Sequence, residues 1–93
     1  MIDVPDQKQI IAHYGCHNQV LVAIEELSEL TKALTKFNRK DTNTTSTELN
    51  SIIEEISDVY IVLDQLKDIF GFDDREIQLI VYAKTARTIE NLK

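Results

Sequence analysis

At 93 residues, the chain has the length of one domain and too few residues for a second. It is 43% hydrophobic and 28% charged, as globular proteins usually are, and its formal net charge of −6 argues against a nucleic-acid-binding surface, which needs a basic stripe. No stretch is apolar enough to span a bilayer, so no membrane partner is expected. The single cysteine, Cys16, cannot form an internal disulfide, which favours a reducing compartment and predicts a cytoplasmic location.

Two helices are predicted in the first half of the chain. A short helical stretch, PDQKQIIAHY, begins at Pro5 and ends before Gly15, a typical residue just beyond a helix C-terminus. A long amphipathic segment then runs from about Asn18 to about Asn38. Its apolar positions recur at helical spacing and predict a core-facing stripe formed by Val20, Ala23, Ile24, Leu27, Leu30, Thr31 and Leu34. The polar segment RKDTNTTST follows and predicts a loop.

Two more helices are predicted after this loop. Thr45 with Glu48 resembles a capping box that opens a third helix, which runs up to Gly71. Asp73 with Glu76 repeats the pattern and opens a last helix that reaches nearly to the C-terminus. In the third helix the core-facing positions are Ile52, Val59, Val62, Leu66 and Ile69.

The predicted fold is a single all-α domain over residues 1–93, with one short N-terminal helix and three long helices in a four-helix-bundle-like arrangement. No alternation of Val, Ile and Thr suggests strands. VYIVL at 59–63 is apolar nearly all round its helix, which indicates cover on more than one side. In so short a chain a second subunit is the expected cover, so we predict a homodimer or homotetramer.

Two similar acidic segments, EELSEL at 25–30 and EEISDV at 54–59, carry the functional prediction. Each places two acids three residues apart on one helix flank beside the apolar stripe, namely Glu26 with Glu29 and Glu55 with Asp58. Carboxylates gathered at the edge of a core repel one another and lose hydration unless a cation lies between them. Lys and Arg are absent from that flank on both helices, and all-oxygen ligation favours Mg²⁺, with Mn²⁺ as a substitute.

Two other interpretations of the acids remain. Acids at the edge of a helix stripe are commonly solvated or paired with Lys and Arg from another helix. A di-iron or di-manganese bundle would need Glu-x-x-His repeats, and neither His13 nor His17 lies three residues after a Glu. The sequence therefore favours a hard cation over a histidine-ligated metal pair.

The pattern Glu-Glu-x-x-Glu followed by Glu-x-x-Asp resembles the MazG-like all-α nucleoside triphosphate pyrophosphohydrolases, which are related in fold to the dimeric dUTPases. The matching segments are EELSE at 25–29 and EISD at 55–58. Members often carry Lys-x-x-Arg on the final helix, and this chain has KTAR at 84–87. The resemblance covers most of the chain, although the separation between the two acidic motifs is long for the family and no Trp is available for base stacking.

The resemblance implies Mg²⁺-dependent hydrolysis of a nucleoside triphosphate, a dNTP or a non-canonical NTP, to the monophosphate and pyrophosphate. It implies that the metal ligands are Glu26, Glu29, Glu55 and Asp58. Glu29 and Glu55 are assigned the catalytic role, with one acid serving as both ligand and general base. Such a reaction depends on positioning and charge stabilisation and needs no covalent nucleophile.

Three further residues are predicted to bind the substrate. Lys84 and Arg87 would hold phosphate oxygens beyond the metal, and Gln19 would border the nucleotide pocket, although solvated surface positions are the plainer interpretation of these residues. Two alternatives to the enzyme also remain. One is a nucleotide-binding member of the fold without turnover, and the other is a helical oligomer acting as a protein-interaction module.

Overall fold

The computed structural model describes residues 2–38 and 45–93. Within these residues the chain forms helices only, which confirms the predicted all-α class with one short and three long helices. The helices are α1 (Lys8–Tyr14), α2 (Cys16–Asn38), α3 (Ser46–Phe70) and α4 (Asp74–Asn91). Most of the loop predicted between α2 and α3 lies outside the described residues.

Local sequence signals account for the helix ends. Gly15 (φ 91°) and Gly71 (φ 72°) adopt the left-handed backbone conformations that glycine tolerates, and each follows the last residue of a helix. The hydroxyl of Thr45 accepts a hydrogen bond from the backbone N–H of Glu48 at 3.2 Å, as the capping box predicts. Asp73 caps α4 through the backbone N–H of Arg75, at 2.9 Å, one residue earlier than the predicted partner.

The packing centre is an antiparallel pair formed by α2 and α3, with α1 lying against both helices. Gln19, near the start of α2, contacts Gln65, near the end of α3, while Ala33 shares a small cavity with Ser51 at the opposite end. We call the buried and half-buried line between these two helices the seam. It consists of Gln19, Ala23, Glu26 and Ala33 of α2 and Glu55, Asp58, Val62 and Gln65 of α3.

The most buried apolar side chains of the described residues are Ala23 and Val62, which are 2% and 3% exposed. The stripe predicted for α3 is buried or half-buried throughout. On α2 the predicted stripe is only partly covered, because Ile24, Leu27 and Leu34 remain 55%, 40% and 45% exposed. The seam passes along one edge of this stripe, through Ala23 and Glu26, which places a carboxylate in the contact between the two helices.

Three glutamines form a buried chain of hydrogen bonds across this bundle. Gln19, Gln65 and Gln7 are 5%, 3% and 6% exposed. Gln19 Nε2 donates to Gln65 Oε1 at 2.9 Å, and Gln65 Nε2 donates to Gln7 Oε1 at 3.0 Å. Gln7 Nε2 in turn donates to the carbonyl oxygen of Pro5 at 2.9 Å, so each of the three side-chain amide nitrogens donates a hydrogen bond.

The last helix, α4, extends away from the other three. All of its residues are exposed except Gln78, which is half-buried, and its exposed side chains include Leu79, Ile80 and Val81. Lys67 forms ion pairs with Asp64 on α3 and with Asp74 at the start of α4, and the second of these links the two helices at the corner between them. No helix of the described residues is long and apolar enough to cross a membrane.

Candidate metal centre

The seam brings together three of the four acids that the sequence singled out. Glu26 of α2 and Glu55 and Asp58 of α3 each offer a carboxylate oxygen, and these oxygens all lie within 4.8 Å of one another. All three side chains are half-buried. Glu55 and Asp58 are one turn apart on α3 and therefore reach the same point from adjacent turns, while Glu26 approaches from the opposite helix.

The electrostatic state of the cluster reflects this crowding. Partial burial raises the pKa of Glu26, and the negative charge of Asp58, with the hydrogen bond that a protonated Glu26 makes to it, raises that pKa further. Burial also raises the pKa of Glu55, followed by repulsion from Asp58 and Glu29. The two carboxyl groups therefore hold their protons more tightly than free side chains would.

One oxygen of the cluster has no partner. Glu55 Oε2 is buried and finds no hydrogen-bond donor among the described residues. Within the same part of the chain, no Lys or Arg forms an ion pair with Glu26, Glu55 or Asp58. Unpaired buried carboxylate oxygens are costly, and clustered carboxylates without a basic partner fit a hard divalent cation. The residues present thus suit Mg²⁺ or Mn²⁺.

Glu29, the fourth predicted ligand, lies at the margin of this group. Its side chain is exposed, and it is not among the acids whose oxygens converge. Its charge nevertheless contributes to the raised pKa of Glu26 and Glu55, so it lies close enough to interact with the cluster. Glu25 and Glu54, the acids that precede Glu26 and Glu55, are also exposed.

The predicted substrate-binding residues are not members of the acid cluster. Lys84 and Arg87 are exposed on α4, and neither forms an ion pair with an acid of the described residues. Gln19 is buried and its amide is bonded to Gln65, so it is a seam residue rather than a solvent-facing one. Sequence reasoning missed Gln65 and Gln7. One signal for Gln65 was available: it follows Asp58 by seven residues, just as Gln19 precedes Glu26 by seven residues on the other helix.

No family model, curated protein or solved structure matches this chain. The resemblance to the MazG-like family therefore depends on the three motifs and their order along the chain. A separate cavity of about 380 Å³ lies between residues 2–4, α3 and α4, within the size range of small-molecule sites. None of the four predicted acids lines it, so it is distinct from the acid cluster.

Proposed function

We propose that the protein is a cytoplasmic, Mg²⁺-dependent nucleoside triphosphate pyrophosphohydrolase that acts on a dNTP or a non-canonical NTP. The observation that carries the proposal is the convergence of Glu26, Glu55 and Asp58, together with the buried Oε2 of Glu55 that has no partner among the described residues. This cluster supports the metal part of the proposal. The reaction is supported by the order of the acidic and basic motifs along the sequence.

The roles of the residues follow from their positions. Glu26, Glu55 and Asp58 supply carboxylate oxygens to the cation from two helices. When bound, the divalent cation offsets the charge of the triphosphate and lowers the pKa of a bound water. Glu29, exposed beside the cluster, is free to turn toward the substrate and accept the proton of the attacking water.

The basic pair completes the proposed site. Lys84 and Arg87 lie one turn apart on α4 and carry charges that no described acid neutralises. Their side chains can hold phosphate oxygens that the cation does not reach. Because α4 is the most exposed helix, the position of Lys84 and Arg87 relative to the acid cluster depends on what packs against α4.

We propose further that a second copy, in a homodimer or homotetramer, provides this packing. The outer face of α3 carries an exposed apolar stripe in which Ile53, Ile56, Tyr60 and Leu63 are 62%, 39%, 42% and 46% exposed. The apolar side chains of α4 add to it. Contiguous apolar surface of this kind marks an interface in soluble proteins. Sedimentation equilibrium, compared between the wild type and Tyr60→Asp, tests this assembly.

The deciding experiment measures pyrophosphate release from a panel of canonical and modified NTPs and dNTPs in the presence of Mg²⁺. Wild type is compared with Glu55→Gln, and the matched control is Glu54→Gln, which changes the exposed neighbour on the same helix. Release of monophosphate and pyrophosphate that Glu55→Gln abolishes and Glu54→Gln retains would support the proposal. A folded wild type that releases nothing would contradict it for those substrates, and Mg²⁺-dependent nucleotide binding would then indicate a binding module.

A further inference from the structure

The buried glutamines and the acid cluster share one helix register. On α2, Gln19 precedes Glu26 by seven residues, and on α3, Gln65 follows Asp58 by seven residues. Seven residues are about two helical turns, or roughly 10 Å of rise. Because α2 and α3 run antiparallel, the alignment that pairs Gln19 with Gln65 also brings Glu26 opposite Asp58.

The acid cluster and the buried glutamines have opposite effects on the alignment of α2 with α3. The carboxylates of Glu26, Glu55 and Asp58 repel one another, so an empty cluster favours a seam that shifts or opens. The apolar part of the seam resists this weakly, because Ala23 and Val62 pack without directional bonds. The glutamine amides are directional and almost fully buried, so they are satisfied only in a matching alignment.

A shift of α3 along α2 by one turn would break the hydrogen bonds of the glutamines. If α3 slipped by one turn toward the middle of α2, Gln65 would lie opposite Ala23, whose side chain offers no hydrogen-bond partner. The amides of Gln19 and Gln65 would then be buried and unpaired, which is unfavourable. Single buried polar positions fix register in the same way in coiled coils.

We propose that Gln7, Gln19 and Gln65 are positioning residues that fix the register of α2 against α3 and thereby hold Glu26 opposite Asp58 before a cation binds. Gln7 belongs to the segment before α1, so this segment is tied to the same register. The proposal rests on the proposed function only in taking these acids as cation ligands. It assigns Gln19 to the seam rather than to nucleotide contact.

The test replaces the amides by an apolar side chain of nearly the same shape. The variant carries Gln7→Met, Gln19→Met and Gln65→Met, and the control is Gln9→Met at an exposed position of α1. Replacing every member of a buried polar chain leaves no amide unpaired, so the folded state is expected to be retained. If the triple variant does not fold, Gln19→Met alone is measured in the same way, because it removes the bond between α2 and α3 and leaves the bond between Gln65 and Gln7 in place.

Two readouts are taken without nucleotide. The first is the distance between spin labels at Lys32 and Asp68, exposed positions on α2 and α3, in a Cys16→Ser background diluted with unlabelled chain. A one-turn slip moves one label by about 5 Å along the helix axis, so the variant is expected to show a shifted or broadened distance distribution. The second readout is the Mg²⁺ dissociation constant from calorimetry, which is expected to weaken by about tenfold or more.

The outcomes separate this inference from the proposed function. A wild-type distance distribution in the methionine variants overturns the inference, and so does an altered register with unchanged Mg²⁺ affinity. Nucleotide affinity is then measured separately by calorimetry; a weakened value with unchanged distances would make Gln19 a substrate contact and would also overturn the inference. If the wild type itself binds no Mg²⁺, the proposed function fails, and the distance measurement still decides whether the glutamines set the register.

Discussion

Replacing Glu26 by glutamine is expected to change thermal stability in opposite directions without and with Mg²⁺. A carboxylate oxygen of Glu26 lies within 4.8 Å of oxygens from Glu55 and Asp58. At 4.8 Å, two unit charges repel by about 0.9 kcal/mol in water and about 3.5 kcal/mol at an effective dielectric constant of 20. Since these side chains are only half-buried, solvent screening favours the lower part of this range.

At pH 8, Glu26→Gln should therefore raise the free energy of unfolding in EDTA by about 1 kcal/mol. For a chain of this size, that change corresponds to an increase in melting temperature of about 4–8 °C. With Mg²⁺ at one hundred times its dissociation constant, the wild type should gain about 2.7 kcal/mol, because the ion binds the native state. The variant lacks one of the three proposed ligands and should gain much less.

The assay is thermal unfolding followed by circular dichroism at fixed protein concentration, in EDTA and across a Mg²⁺ series. The matched control is Glu25→Gln, which changes the exposed neighbour on α2 and should alter stability by no more than about 0.5 kcal/mol in either buffer. The reasoning is refuted if Glu26→Gln destabilises the protein in EDTA. It is refuted equally if the wild type and the variant respond alike to Mg²⁺.

Three other predictions use the same unfolding assay or a measure of assembly. In EDTA, the melting temperature of the wild type relative to Glu26→Gln should fall as the pH rises from the ordinary carboxyl pKa of about 4.5 through the raised pKa of Glu26 and Glu55. The reason is that the native state binds these protons more tightly than the unfolded state does. A relative increase over this pH range would contradict the prediction. Thr45→Ala removes the cap of α3 and should cost about 1 kcal/mol, with Thr45→Ser as the control that retains the hydroxyl. Val81→Asp, on the exposed face of α4, should lower the assembly state in sedimentation equilibrium without altering the melting temperature of dilute protein; unchanged assembly would remove α4 from the interface.

Local signals predicted the helices well because each helix end is set by neighbouring residues. Gly15 and Gly71 end α1 and α3, and the hydroxyl of Thr45 opens α3. The stripe on α2 was harder to assign. A helical wheel identifies the apolar face but not the surface that covers it, and Ile24 and Leu27 remain exposed in the single chain.

The candidate site was also predicted in part. Two acids on α3 and one on α2 converge as the matched spacing indicated, but Glu29 does not join them. Glu26 and Glu29 have the same three-residue spacing as the converging pair of acids on α3, so spacing alone does not decide which acids face the seam; the way α3 packs on α2 leaves Glu29 exposed. The glutamine chain escaped detection because periodicity arguments count apolar residues, while Gln19 and Gln65 occupy the same inward positions with amides.

The exposure of α4 affects how well a monomer resists proteolysis. A single helix with few packing contacts opens at a lower free energy than the paired helices beside it, since isolated helices are marginal in water. Its amide protons should exchange with solvent long before those of α2 and α3, and a protease should cut first within Asp74–Asn91. If a second copy covers α4 as proposed, dilution would shorten the lifetime of the protein, because the helix would lose this protection from cleavage.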